Sequence, residues 1–244
     1  MKKNTNWLKE IPFAHRGLYN EVFPENSMSA FQNAIKYGYG IELDVQFTKD
    51  KKVVVFHDDN LKRMTGNEND INDLTYSEIS KLTLLNTNER IPLLKDVLNV
   101  IDEKVPVIIE IKTDNKYISL SEKVYNIIKN YNGKYSIQSF DPRIVKWYKD
   151  NANEVIRGQI SSCFQDALIK WYKKFVLKNM LLNFKTKPDY ICYGLYGINN
   201  IAIAILRKKM PIVSWTIRNE EEMKRAYKYS DNIIFEGFMP PKNK

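Results

Sequence analysis

Cysteine, histidine and long apolar runs are all scarce in this chain of 244 residues. Two cysteines, Cys163 and Cys192, make neither a disulfide framework nor a zinc site. No apolar run reaches the roughly 18 residues that span a bilayer, so stable membrane insertion is not expected. The opening MKKNTNWLKE lacks the apolar stretch of a signal peptide, and the expected location is cytoplasmic, with both thiols reduced. The net charge is +9, but no dense basic stripe with interleaved stacking aromatics occurs. Nucleic acid is therefore not an expected partner, and Lys-Lys pairs at 51–52, 173–174 and 208–209 read as solvated faces. No repeat, low-complexity tract or linker divides the chain, and 43% hydrophobic content suffices for a full core, so one domain over 1–244 is expected.

The informative residues are few and close together. In Gly40-Ile-Glu-Leu-Asp-Val45, side chains two apart on a strand share a face, so Glu42 and Asp44 project together. Two carboxylates in an apolar strand are costly unless a cation joins them, and oxygen ligands suit Mg²⁺ or Ca²⁺. The strand is expected to turn at a two-residue loop, Asp50-Lys51, and return through Val53 to Phe56. That register sets Asp44 opposite His57.

Strands alternate with helices along the rest of the chain. Predicted strands lie at 11–16, 41–47, 105–112, 134–140, 155–160, 189–193, 211–217 and 232–235. Predicted helices follow Asn26-Ser27 to Tyr37 and cover 93–101, 119–131, 142–150, 166–182, 198–209 and 220–229, with a capping-box pattern at Thr75-Tyr-Ser-Glu78. Eight strands with helical crossovers predict a (β/α)8 TIM barrel, with a doubly wound open sheet as the alternative. Phe175 to Phe184 could face a membrane, but its apolar residues are expected to pack on the barrel.

Active sites of such barrels lie at the C-terminal ends of the strands. His15-Arg16 ends the first strand, Glu42/Asp44 lie in the second and Glu110/Lys112 end the third, and His15 and His57 are the chain's two histidines. Glu110 is a candidate third metal ligand. Arg16 and Lys112 are candidate phosphate contacts, and the histidines a candidate acid/base pair. A self-neutralising Glu110–Lys112 pair is the structural alternative. The combination suggests phosphodiester cleavage.

His15-Arg-Gly17, Pro24-Glu-Asn-Ser27, Glu42-Leu-Asp44, His57-Asp58 and Glu110-Ile-Lys112 together resemble the glycerophosphodiester phosphodiesterase family. Gln138-Ser-Phe-Asp141 and Ser214-Trp-Thr-Ile217 extend the resemblance more loosely into the second half. It implies a TIM barrel with a small insertion, here about 59–91, after the hairpin. It implies catalytic His15 and His57, metal ligands Glu42, Asp44 and Glu110, and substrate contacts Arg16, Lys112 and Trp215. Glu25 is at most an outer contact. The implied reaction releases sn-glycerol 3-phosphate and an alcohol from a small-molecule phosphodiester. A lipid phosphodiesterase acting on lysophospholipids and a non-catalytic phosphate-binding barrel are the competing functions.

Overall fold

Residues 3–112, 115–165 and 169–242 are described by the structure, a computed structural model. Nine strands form one sheet in the order β1-β9-β8-β7-β6-β5-β4-β2-β3, with β1 also paired to β2. This is the topology of a (β/α)8 barrel with one extra hairpin strand, as the alternation of the sequence predicts. The chain divides into two units, Ala14–Tyr135 and Met1–Phe13 with Ser136–Lys244.

The unit Ala14–Tyr135 begins at β1 (Phe13–Ala14) and continues through α1 (Met28–Lys36), β2 (Gly40–Phe47) and β3 (Val53–Val55). The Ser27 side chain caps α1 by accepting from the Ala30 amide, 3.2 Å away. The β2–β3 register pairs Val45 with Val55 and Phe47 with Val53. Asp44 is therefore level with Phe56, whose amide donates to its carbonyl at 3.0 Å. The expected pairing with His57 is one residue off. The turn has three residues, 49–51, between the paired Thr48 and Lys52. A two-residue turn of the favoured kind needs two residues at positive φ, which Asp-Lys supplies poorly; the longer turn concentrates the strain in Lys51 alone, at φ 57°.

The segment after β3 carries α2 (Lys62–Thr65) and α3 (Tyr76–Ile79), where the Thr75 amide donates to Glu78 at 2.7 Å as the capping box requires. Leu61, Met64, Ile71, Ile79, Leu84 and Ile91 form a separate small core with Val54 and Phe56. Next come α4 (Leu94–Ile101), β4 (Val107–Ile111) and α5 (Tyr117–Ile128). α4 buries Leu94, Val97, Leu98 and Ile101 along one face, each worth roughly 1.5–3 kcal/mol when fully removed from water.

The second unit runs through β5 (Tyr135–Ser139), α6 (Pro142–Asn151), β6 (Arg157–Ser161), α7 (Trp171–Lys178), α8 (Asn183–Thr186) and β7 (Tyr190–Gly194). It ends with α9 (Ile201–Arg207), β8 (Ile212–Ile217), α10 (Glu220–Tyr229) and β9 (Asn232–Phe235). Asp141 and Pro142 open α6 as expected, the aspartate side chain accepting from the Arg143 amide. Gly158 is required by contact: a β-carbon there would lie 2.3 Å from the Tyr190 ring. That tyrosine is buried and bonds Ser136 and Gln138. The helix expected over 166–182 divides into α7 and the short α8, with 166–168 outside the described residues. The expectation that the apolar residues of 175–184 pack on the barrel holds for part of the run: Met180 enters a core cluster and Val176, Leu177 and Leu182 are half-buried, whereas Phe175, Leu181 and Phe184 are exposed.

Candidate active site

The parallel register of β2 and β4 sets Asp44 level with Glu110 and Glu42 level with Ile108. Because Glu42 and Asp44 share a face, one oxygen each of Glu42, Asp44 and Glu110 lie within 4.8 Å of one another. Glu42 and Asp44 are 1% exposed. Burial, with Asp44 next to it, pushes the Glu42 carboxyl up. Burial acts on Asp44 in the same direction, but Lys112, both histidines and Arg16 outweigh it and hold Asp44 well below the usual carboxylate range. The Lys112 ammonium sits 3.0 Å from Asp44 and 2.9 Å from Glu110. The self-neutralising Glu110–Lys112 contact therefore exists, but Asp44 is part of it.

Three acidic side chains meet two cations here, counting Arg16, and the donor set is all oxygen. Its chemistry fits a hard divalent ion, and a third positive centre would relieve the repulsion that raises Glu42.

The loop after β1 carries His15 and Arg16, the latter at φ 55° followed by Gly17 at φ 81°. A β-carbon on Gly17 would come within 3.0 Å of Ala30, so the turn needs glycine for both reasons. The turn aims the Arg16 amide at Glu42, 3.1 Å away. The Arg16 side chain donates to Glu25 at 2.6 Å, while its buried Nε, 3.5 Å from Asp44, completes no hydrogen bond. Its fork is thus only partly used.

His57 follows β3, with Nδ1 2.7 Å from Asp58. Asp58 is half-buried; burial raises it, but its bonds to Arg63 and His57 prevail and bring it to about 2. An ionised carboxylate can only accept, so Nδ1 carries the proton and Nε2 is left as the acceptor.

Three residues beyond those expected complete the site, together with Glu25, which was expected as an outer contact at most. Gln46 donates its amide to the carbonyls of Phe56 at 3.0 Å and Asp58 at 2.8 Å, bracketing His57. Asn26 donates to Asp44 at 3.0 Å from a backbone at φ 55°. Arg63 of α2 bonds Asp58 at 2.7 Å and Glu25 at 2.7 Å, so Glu25 bridges Arg16 and Arg63. Gln46 shared the face of Glu42 and Asp44 by strand period, a usable signal. Asn26 and Glu25 read as a helix entry, and nothing in the polar segment distinguished Arg63. A cavity of about 280 Å³ borders Lys112 and Gln46, with Asp59, Asp70 and Asn72 on its wall.

Trp215 belongs to the other unit. It is half-buried, packed edge-on against Phe140 at 5.4 Å, and its indole N–H is buried without a hydrogen-bond partner.

The family model described as "Glycerophosphoryl diester phosphodiesterase family" matches residues 15–235. The chain belongs to this family. A glycerophosphodiester phosphodiesterase of Caldanaerobacter subterraneus is 32% identical over 240 residues, covering 93% of this chain and 94% of that protein. The lysophospholipase D of Rattus norvegicus is 37% identical over 252 residues, covering 88% and 79%. A phosphodiesterase of Oleispira antarctica, solved with its product sn-glycerol-3-phosphate, superimposes with a TM-score of 0.79 at 20% identity, covering 94% of each chain, and shares the fold. Membership makes this chain a phosphodiester-cleaving enzyme and sets aside the non-catalytic barrel.

Proposed function

We propose that this family member hydrolyses glycerophosphodiesters to sn-glycerol 3-phosphate and an alcohol, with Mg²⁺ or Ca²⁺ held by Glu42, Asp44 and Glu110. The observation that carries this reading is the meeting of three carboxylates beside a histidine whose protonated nitrogen is set by Asp58. A bound divalent ion would stabilise charge on the phosphoryl oxygens as a Lewis acid. The remaining tasks fall to the chain's own side chains. His57, with Nδ1–H donated to Asp58, takes a proton at Nε2 from the nucleophile, either water or the substrate hydroxyl beside the phosphate; in the second case the cyclic phosphate formed is then opened by water to the monoester. His15 gives its proton to the leaving alcohol oxygen. The Arg16 guanidinium and the Lys112 ammonium contact phosphoryl oxygens, and the family resemblance gives Trp215 the role of an aromatic wall for the glycerol. The alcohol extends toward the cavity walled by Asp59, Asp70 and Asn72.

The test is a panel of glycerophosphodiesters assayed for glycerol 3-phosphate release with Mg²⁺, Ca²⁺ or chelator. Release from at least one headgroup, abolished by chelator, is the expected result; release unaffected by chelator would remove the ion from the mechanism. The similarity to a lysophospholipase D favours a second reading, cleavage of lysophospholipids by the same groups. Faster release of headgroup alcohol from lysophospholipid than from any soluble diester would select it.

A further inference from the structure

The sequence around α7 and α8 combines two properties that rarely coexist on a protein surface. Between 167 and 188 it has six lysines (170, 173, 174, 178, 185 and 187) and no acidic residue. The same segment exposes large apolar side chains: Trp171 is 79% exposed, Phe184 69% and Phe175 58%, with Tyr172 and Leu181 also open. Trp171 and Phe175 are four apart on α7 and so share a face, one turn from each other. Trp171 also touches Tyr172 edge-on, and the Lys185 ammonium lies over the Phe184 ring at 5.5 Å.

α7 is held in place without burying these groups. Its C-terminal carbonyls take the load: Ser161 donates to Leu177 O at 2.9 Å and the Tyr193 hydroxyl to Lys178 O at 3.1 Å. A helix fastened through its backbone leaves one face open: Trp171, Tyr172, Lys173 and Phe175 are exposed, while Val176 and Leu177 are half-buried. Aromatic rings flanked by lysines are the composition that lies at a lipid headgroup boundary, the rings entering the acyl edge and the ammonium groups meeting anionic headgroups.

We propose that α7 and α8 are a docking surface for an anionic lipid bilayer, on which the protein rests peripherally. Charge selects this occupant: six lysines with no acidic residue among them, between Asp166 and Asp189, favour a negatively charged partner, and the exposed rings favour one with an apolar interior. No helix among the described residues is long and apolar enough to cross a membrane, so the attachment is by surface contact.

The test uses the full chain with vesicles of phosphatidylcholine, alone or mixed with phosphatidylglycerol. The protein is expected to float with the mixed vesicles and not with phosphatidylcholine alone, and to be released by added salt. Tryptophan emission should shift to the blue on binding in the wild type and not in Trp171→Phe. Trp171→Ala with Phe175→Ala, and separately Lys173→Glu with Lys174→Glu, should each weaken partitioning on the order of tenfold or more. Hydrolysis of soluble glycerophosphodiester should be unchanged in both, which separates this inference from the proposed reaction. Equal binding to both vesicle types, no binding to either, or unaltered binding by both double variants would overturn it. So would lipid-free, concentration-dependent self-association abolished by Phe175→Ala, which would assign the surface to a second copy of the chain.

Discussion

The strand ends of the first unit and the α7–α8 segment of the second invert the usual distribution of residues in opposite ways. One buries charge: Glu42 and Asp44 are almost wholly removed from water among Lys112, Arg16 and Asn26. The other exposes apolar surface: Trp171, Phe175 and Phe184 stand in solvent on elements tied down by backbone hydrogen bonds. Packing alone favours neither. Burying a carboxylate costs free energy unless it is partnered, and an exposed aromatic forgoes roughly 1.5–3 kcal/mol of burial. On the readings proposed above, each departure marks where the molecule meets something else, a compact ionic ligand in one case and an extended apolar one in the other.

The contrast can be broken most severely at the imidazoles. His57→Ala and His15→Ala should each lower turnover by about 10²–10⁴-fold while circular dichroism and melting stay near wild type; two variants with ordinary rates would strip both histidines of their roles. Glu42→Gln should come next, abolishing the response of activity to added Mg²⁺ or Ca²⁺, and calorimetry that found unchanged ion affinity would contradict the ligand assignment. Asn26→Ala removes the bond that orients the Asp44 carboxylate and the one accepted from the Asp44 amide, and leaves a methyl side chain at φ 55°. Ion affinity should fall by about 10–100-fold in that variant.

A smaller effect should appear in acid. The bonds that lower Asp58 from 3.8 to about 2 exist only in the folded protein. Because the folded value is the lower one, the stabilisation is complete above the unfolded value and is lost as pH falls from about 4 toward 2. Asp58 is only half-buried, so solvent screening keeps its share under about 1 kcal/mol. Denaturation midpoints followed across that range should fall less steeply for Asp58→Asn than for wild type. Identical slopes would mean that Arg63 and His57 do not hold the carboxylate in solution.

What could be read in the sequence divides along the same line. Glu42, Asp44 and Glu110 were legible because strand period is rigid: two residues apart always means one face, and parallel strands keep their order. α10 and β9 match the expected 220–229 and 232–235: the Asn219 side chain caps the helix by accepting from the Glu222 amide, and the strand is a short, wholly buried run. The hairpin register was not legible, since turn length depends on which single residue accepts a positive φ. Arg63 was hidden because its partners, Glu25 and Asp58, come from two other segments. The α7–α8 stretch was legible only in part: Met180 enters the core and Val176 and Leu177 are half-buried, but the rings of Trp171, Phe175 and Phe184 stay exposed on elements that backbone bonds from Ser161 and Tyr193 help to hold.

The three-residue turn at 49–51 has a consequence for how this chain can vary. Exposed turns usually tolerate insertions and deletions freely. This one sets the phase of everything that follows it: adding or removing a single residue would carry β3 one step along β2 and reverse the facing of each side chain from Val53 onward. Gln46 could then no longer clasp the carbonyls on either side of His57, and the imidazole would be presented to the wrong face. Lys51 can change identity, and glycine would relieve its φ of 57°. The count of residues in that loop cannot change, although nothing in the loop touches the site.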